Sequence, residues 1–215
     1  MGWSVAPLTD WESWHDAYED PDSLLSERLR VVQQHISEWL DARPGEVTVV
    51  SACAGDGRDL LGVLQGRADR RRVRATLLEA DPGIARRAAE TVHALGPADI
   101  EVRCTDAGIT TAYAGAVPAD LVLLCGIFGN VADEDVQRTV AAAAQLCKTG
   151  ARVIWTRHRR APDLTPQIRA WFVEHHFAEE HFVAPQHGTY SVGVQRFLGD
   201  PEPLEPDRRL FSFNK

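Results

Sequence analysis

The chain has 215 residues, of which 44% are hydrophobic and 25% are charged. This length and composition are typical of one folded domain and exclude a fibrous or disordered chain. The formal net charge of −8 argues against mainly electrostatic binding to nucleic acid or to an anionic membrane. We therefore expect a small-molecule partner, no nucleic-acid or membrane binding, and a monomer or homodimer.

Cysteine and histidine usage predicts neither disulfides nor a metal site. The four cysteines are scattered without a close pair. His175 and His176 are adjacent and point to different faces of a helix, and with His181 they complete no familiar ligand set. The sequence starts without a basic or apolar signal-peptide pattern, and no apolar run approaches the about 20 residues that cross a bilayer. These features predict a cytoplasmic protein.

Hydrophobic periodicity predicts helices and strands that alternate along the chain. The first helix covers about residues 22–41, and Pro44-Gly45 ends it. Five short apolar strands are predicted at residues 47–50, 73–79, 100–104, 121–125 and 153–155. Apolar residues at helical spacing predict further helices at residues 60–64, 84–95, 136–147 and 165–172.

This alternation predicts a doubly wound α/β fold, a mostly parallel sheet with helices on both faces. Two last strands, at about residues 179–184 and 190–197, are joined by a turn too short for a crossover helix, so an antiparallel hairpin is expected at one edge. We predict a single structural domain. Its parts are an N-terminal lid segment and helix (residues 1–45), a core (46–198) and a C-terminal tail (199–215) held by apolar side chains.

The loops after the first three strands carry a nucleotide-like pattern. In open parallel sheets, ligands bind beyond the carboxyl ends of the strands. Gly55 and Gly57 allow close approach of the backbone after the first strand. Glu79 ends the second strand 22 residues after Gly57, where a carboxylate can accept both hydroxyls of a ribose. Asp106, after the third strand, can accept a hydrogen bond from an adenine amino group; the alternatives are a tight turn and a loop cap.

The sequence of the loop after the first strand also indicates which class of nucleotide ligand is expected. A nicotinamide dinucleotide fingerprint needs a small residue three positions after the second glycine, and this position is Leu60. No Gly-Lys-Ser/Thr follows the turn, which excludes a phosphate-binding P-loop. The spacing therefore favours an adenosyl compound that has no pyrophosphate.

Four motifs in chain order resemble the class I S-adenosylmethionine-dependent methyltransferases over nearly the whole chain. They are residues 49–59 (VVSACAGDGRD), 77–82 (LLEADP), 104–107 (CTDA) and 119–126 (ADLVLLCG). The resemblance implies a seven-stranded sheet with an antiparallel last strand, a Rossmann-like core, an N-terminal helical lid and S-adenosylmethionine as cofactor. The cofactor-binding residues that follow from it are Tyr18, Ala52, Cys53, Ala54, Gly55, Gly57, Arg58, Glu79, Ala80, Asp106, Ala107 and Cys125.

Two positions depart from the family pattern. Ser51 stands where the family usually has an acid at the end of the first strand, and Cys53 stands where it has the first glycine. Another group, such as a backbone carbonyl at Ala52 or after Cys125, must then accept the hydrogen bonds of the ammonium in the methionine moiety. The departures leave open a non-catalytic S-adenosylmethionine-binding subunit, and a nicotinamide-dependent oxidoreductase is the other alternative.

Residues after the fourth and fifth strands are expected to contact the methyl acceptor. Phe128 is predicted to flank it, and Asn130 and Arg157 to orient it. His158 is the predicted general base, because the ordinary pKa of histidine lies near the working pH; a structural or substrate-orienting histidine is the alternative.

The aromatic N-terminal segment is predicted to fold over the site as a lid, or alternatively to seal the end of the sheet. Its residues are Trp11, Trp14 and His15, assigned to the acceptor, and Tyr18, assigned to the cofactor. The sequence has little room for a large recognition module. We therefore expect methyl transfer to an oxygen or nitrogen atom of a small molecule.

Overall fold

The computed structural model describes residue 20 and residues 22–213 of the chain. The helices of this part are α1 (Leu24–Asp41), α2 (Arg58–Gln65), α3 (Pro82–Leu95), α4 (Asp133–Ala141) and α5 (Thr165–Glu174). The strands are β1 (Val47–Ala52), β2 (Val73–Glu79), β3 (Asp99–Cys104), β4 (Ala119–Leu124), β5 (Cys147–His158), β6 (Phe177–Val183) and β7 (Tyr190–Phe197).

Short polar side chains set the starts of two helices. The Ser23 hydroxyl accepts the N–H of Ser26 at the start of α1. Asp81 accepts the N–H groups of Gly83 and Ile84 and so caps α3, whose first residue is a proline. These are the residue types that satisfy unpaired N–H groups at helix N-termini.

The seven strands form one sheet in the order β3-β2-β1-β4-β5-β7-β6. Strands β1 to β5 pair with one another in parallel, whereas β7 is antiparallel to both of its neighbours, β5 and β6. The predicted fold class is confirmed: a seven-stranded, mostly parallel sheet with an antiparallel last strand and an edge hairpin. Its strand order reverses between β1 and β4, where parallel sheets of this kind bind ligands.

Helices pack on both faces of the sheet around two apolar clusters. One cluster joins α1 and α2 to β1, β4 and β7 through side chains such as Trp39 and Leu61. The other joins α4 and α5 to the opposite face through Trp155 and Phe172, and it includes Leu210 and Phe211 of the C-terminal segment. Burial of the apolar side chains in these two clusters supplies the main favourable free energy of folding.

The end of α4 corrects one sequence expectation. The apolar spacing predicted a helix that continued to Cys147, but α4 ends at Ala141 and a short 3-10 turn follows at Ala143–Gln145. Cys147 begins β5 and pairs with Ala119 of β4. Pairing with a neighbouring strand overrides a local helical period, because it satisfies the backbone groups equally well and places Cys147 in the core.

No helix among residues 22–213 is both long enough and apolar enough to cross a bilayer.

Candidate functional site

A cavity of about 400 Å3 opens at the carboxyl ends of β1, β2 and β4. This volume lies within the range of small-molecule sites, and the position is the reversal point of the strand order. The lining comes from the loop after β1, the end of β2 and start of α3, the residues after β4, one residue of α1 and one of the C-terminal segment. These residues are Arg28, Cys53, Ala54, Gly55, Asp56, Arg58, Asp59, Glu79, Ala80, Asp81, Pro82, Ile84, Cys125, Gly126 and Phe213.

The loop between β1 and α2 turns through left-handed backbone conformations. The φ angles of Cys53, Gly55 and Gly57 are 50°, 59° and 80°. A side chain at Gly57 would place its Cβ 2.6 Å from Leu61 Cδ1 and 2.8 Å from Leu77 Cδ2, so the two leucine side chains would have to shift to admit it. Cys53 adopts the left-handed conformation at the position where glycine was expected from the family pattern, at the conformational cost of a residue with a Cβ.

The Glu79 carboxylate is held by two backbone donors. Its Oε2 accepts the N–H of Gly55 at 2.9 Å, and its Oε1 accepts the N–H of Asp81 at 2.8 Å. These bonds tie the end of β2 to the glycine loop and fix the carboxylate at the wall of the cavity. Each carboxylate oxygen has a further lone pair, so the group can still accept two hydroxyl donors from a ligand.

Seven of the residues assigned to the cofactor line this cavity: Cys53, Ala54, Gly55, Arg58, Glu79, Ala80 and Cys125. Four others do not. Ala52 and Ala107 are buried in the core, and Gly57 caps α2. Asp106 lies after β3, where its Oδ1 accepts the N–H of Gly108 at 2.8 Å and its Oδ2 accepts from Arg209.

The cavity is also lined by a carboxyl and a guanidinium that were not among the predicted ligand contacts. Asp59 lies in the first turn of α2 and Arg28 lies on α1, and both line the cavity. Burial raises the pKa of the Asp59 carboxyl, whereas Arg28 and a hydrogen bond from the Cys125 side chain act in the opposite direction. Asp59 could have been predicted from the sequence, because it is an acidic residue in the first turn of a helix beside the predicted site, two positions after Gly57. Nothing in the local pattern marks Arg28.

Of the residues considered for the ammonium of the methionine moiety, only Cys125 lines the cavity. Ser51 is buried and does not line the cavity, and neither does Ala52. Cys125 does line it, and burial followed by the charge of Asp59 raises the pKa of its thiol well above the ordinary range. The Cys125 thiol and the Asp59 carboxyl therefore lie close together at the wall of the cavity.

Three residues assigned to the methyl acceptor brace the loop after β4 instead of lining the cavity. Phe128 is fully buried in the core, with its ring centroid 6.0 Å from that of Trp155. Asn130 Nδ2 donates to the carbonyl of Gly126 at 2.7 Å. The Arg157 guanidinium donates to the Phe128 carbonyl and to Asp133 Oδ1, the latter at 3.1 Å. The aromatic character of Phe128 predicted a ligand contact, but its full burial makes it a packing residue.

His158 ends β5 on the side of the sheet where the cavity opens. Its Nδ1 accepts the N–H of Arg160 at 3.3 Å. Burial, together with the positive charges of Arg157 and Arg160, lowers the pKa of His158 from its ordinary value. The imidazole is therefore neutral near pH 7 and able to accept a proton, although it does not line the cavity.

Four predicted contacts, Trp11, Trp14, His15 and Tyr18, lie outside the described residues. Within residues 22–213, no group of three or more His, Cys, Asp or Glu side chains is arranged to hold a metal ion.

Comparison with known proteins gives a result at the level of structure alone. No family model and no curated protein matches the sequence. Magnesium protoporphyrin IX methyltransferase from Synechocystis PCC 6803, solved with bound S-adenosylmethionine, superposes with a TM-score of 0.67 at 14% identity over 88% of this chain and 91% of that one.

Two proteins from Burkholderia thailandensis are also similar. The 1,6-didemethyltoxoflavin-N1-methyltransferase, with bound S-adenosylhomocysteine, gives a TM-score of 0.63 at 14% identity over 93% of this chain and 94% of that one. An O-methyltransferase family protein gives 0.65 at 19% identity over 90% of this chain and 62% of that one. Together with the strand order and the cavity at its reversal point, these superpositions show that the chain has the fold of the class I S-adenosylmethionine-dependent methyltransferases.

Proposed function

We propose that this protein transfers the methyl group of S-adenosylmethionine to an oxygen or nitrogen atom of a small-molecule acceptor. The observation that carries the proposal is the position of Glu79, a carboxylate fixed by two backbone donors at the wall of a cavity at the strand-order reversal. Two solved proteins of the same fold, a magnesium protoporphyrin IX methyltransferase and an N1-methyltransferase, hold S-adenosylmethionine and S-adenosylhomocysteine respectively.

The residues of the cavity fit an adenosyl ligand. Glu79 is suited to accept both ribose hydroxyls, and the glycine loop lets backbone N–H groups approach closely. Asp106 follows the strand next to β2, so an adenine beyond the ribose would extend toward it. The opposite direction, toward β4, is left for the methionine moiety and the reacting methyl group.

The bound cofactor supplies an electrophilic methyl group on a positively charged sulfur. The acceptor atom forms a bond to this carbon while the carbon–sulfur bond breaks and its electron pair stays on sulfur. The protein contributes by holding the two reactants in line. We assign the removal of the acceptor proton to His158, which is neutral near pH 7 because burial and neighbouring arginines lower its pKa.

Proteins that share this fold differ in the type of acceptor that they methylate. Among solved proteins of this fold are a carbon methyltransferase and a ribosomal protein L11 methylase as well as the N1-methyltransferase. The net charge of −8 and the cavity of about 400 Å3 favour a small molecule over a nucleic acid. A nitrogen or oxygen acceptor that carries a proton fits the assignment of His158 as the base.

Isothermal titration with S-adenosylmethionine, S-adenosylhomocysteine and NADH tests the proposal. We expect micromolar binding of both adenosyl ligands, lost in Glu79→Ala because the ribose loses its acceptor. Glu101→Ala is the matched control, since Glu101 is an exposed acid on β3 that pairs with Arg103 away from the cavity.

Three outcomes would separate the alternatives. Binding of NADH alone would replace the proposal by a nicotinamide-dependent oxidoreductase. Binding of none of the three ligands would contradict it outright. Binding of the adenosyl ligands with no turnover in an acceptor screen that uses methyl-labelled cofactor would favour a non-catalytic binding subunit.

A further inference from the structure

The C-terminal segment, defined here as residues 207–213, is bonded to the loop that follows β3. The N–H of Leu210 donates to the carbonyl of Gly108 at 2.8 Å, and the N–H of Thr110 donates to the carbonyl of Arg208 at 3.0 Å. The two bonds form an antiparallel β-bridge between the segment and this loop. One side of the segment is therefore fixed by main-chain hydrogen bonds.

The other side of the segment is bonded to α4 and to the loop after β4. The N–H of Ser212 donates to Asp135 Oδ2 of α4 at 2.8 Å, and Phe213 forms an antiparallel β-bridge with Val131. In the sheet, β1 and β2 lie between β3 and β4, and the glycine loop and Glu79 are at the ends of these two strands. A segment that joins the loops after β3 and β4 therefore borders the cavity on the side of α4.

The residues that anchor this segment differ from the residue that reaches the cavity. Leu210 and Phe211 are 0% and 1% exposed and belong to the apolar cluster of α4 and α5. The approach to the loop is close, since a Cβ at Gly108 would collide with the carbonyl oxygen of Phe211. Phe213 is half-buried and lines the cavity, and its ring packs edge-to-face on that of Phe211 with the centroids 5.8 Å apart.

This arrangement links ligand binding to the docking of the segment. A ligand that fills the cavity contacts the ring of Phe213 only while Leu210 and Phe211 stay in the core. Chain ends are among the parts of a fold that open most readily, so a state with this segment undocked is the relevant alternative. Because coupling between two equilibria is reciprocal, docking and ligand binding must favour each other by the same factor.

We propose that Leu210 is a positioning residue that holds Phe213 against the bound adenosyl ligand, and that docking of the C-terminal segment and ligand binding strengthen each other. The inference rests on the proposed function, since it concerns the same ligand. It adds to the site a part of the chain that follows the last strand of the sheet. A change at Leu210 should therefore weaken binding, although this residue does not line the cavity.

Calorimetric titration with S-adenosylhomocysteine tests the role of Leu210. We expect Leu210→Ala to raise the Kd at least about fivefold, because a fraction of the protein then has Phe213 undocked. Leu146→Ala is the matched control, since it is the same substitution in the same apolar cluster, at a residue that is 1% exposed. Leu146 bonds to Ala119, the first residue of β4, at the end of the sheet opposite to the cavity, so its substitution should change the Kd by less than about twofold.

Further variants separate positioning from packing. Leu210→Met nearly keeps the volume of the side chain and should restore the wild-type Kd. Phe213→Ala should raise the Kd at least about fivefold, because it removes the ring that lines the cavity. Phe182→Ala is its control: it removes a half-buried ring that packs against the same cluster outside the cavity, so the Kd should change by less than about twofold.

The outcomes distinguish this inference from the proposed function. Thermal unfolding of each variant accompanies the titrations, so that every Kd is measured on folded protein. Equal Kd values for wild type and Leu210→Ala, or equal weakening in Leu210→Ala and Leu146→Ala, would contradict the inference and leave the proposed function standing. If the wild-type protein binds no adenosyl ligand, both are wrong. Should Leu210→Ala fail to fold, Leu210→Val replaces it, with Leu146→Val as its control.

Discussion

The Arg209 guanidinium donates a hydrogen bond to Asp106 Oδ2 at 2.5 Å, joining the C-terminal segment to the loop after β3. Both side chains are about half exposed, at 44% and 53%. Backbone bonds accompany the pair, since the N–H of Leu210 donates to the carbonyl of Gly108 at 2.8 Å. The segment thus reaches the rim of the cavity, where Phe213 contributes to the lining.

The ion pair is expected to contribute little to the stability of this segment. Exposed ion pairs contribute about 0–1 kcal/mol, so Arg209→Gln should lower the free energy of unfolding by less than about 1 kcal/mol. Leu210 is fully buried, and Leu210→Ala should cost about 2–5 kcal/mol through lost burial and a cavity. Urea denaturation of both variants measures the difference. A loss in Arg209→Gln as large as that in Leu210→Ala would contradict this ranking.

Gly57→Ala should destabilise the protein for two reasons that a control can separate. The backbone has φ 80°, and the added Cβ would meet Leu61 and Leu77 at 2.6 and 2.8 Å. Gly115 has φ 75° with no atom within 4 Å of such a Cβ, so Gly115→Ala carries the backbone cost alone, about 1–2 kcal/mol. Gly57→Ala should exceed it by about a further 1–3 kcal/mol because of overpacking. Equal losses in urea denaturation would show that the clash is relieved at no cost.

His158 should titrate below the ordinary histidine pKa. Burial, Arg157 and Arg160 lower its pKa from 6.5, so the folded protein binds a proton at His158 less readily than the unfolded chain does. The contribution to stability is therefore fully present above pH 6.5 and is lost as the pH falls through the lowered pKa. NMR titration of the His158 ring protons measures this pKa. A midpoint at or above 6.5 would show that burial and the two arginines do not control the proton affinity of this ring.

The lowered pKa of His158 also predicts how the rate of methyl transfer falls at acid pH, which is the acid limb of the pH–rate profile. A general base works in its neutral form, so the rate should fall as the pH drops below 6.5, and His158→Gln should lower the rate and abolish this limb. Steady-state rates against pH for both proteins provide the measurement. An unchanged limb in His158→Gln would assign it to another group.

The sequence predicts elements best where turn signals bound an apolar run. The strands at residues 73–79 and 190–197 were predicted with their observed bounds, because charged or glycine-containing loops flank both. Strand β5 was underestimated, since Lys148, Thr149 and Gly150 in its first half do not form an apolar run. Its extent is set by pairing with β4 and β7, which is information from distant parts of the chain.

The residues of the candidate site likewise differ in how well the sequence predicts them. Glu79 could be placed from its position at a strand end, because strand ends of a parallel sheet meet at one edge. Arg28 could not, because it lies on α1 and comes to the cavity only through the packing of α1 on α2. Phe128 was misplaced because an aromatic residue after a strand looks the same in sequence whether it faces a ligand or the core. The lid contacts at Trp11, Trp14, His15 and Tyr18, and the division at residues 45 and 198, stay predictions.

Cys104 gives this protein a natural attachment point for a fluorescent reporter. Its thiol is exposed, and its backbone lies directly opposite Glu79 in the pairing of β3 with β2. Burial raises the pKa of the thiols of Cys53, Cys125 and Cys147, and a thiol reacts with maleimides as its thiolate. A dye added near neutral pH should therefore attach first to Cys104 in the unmodified sequence, one strand away from the carboxylate assigned to the ribose, where its emission can follow ligand binding in real time.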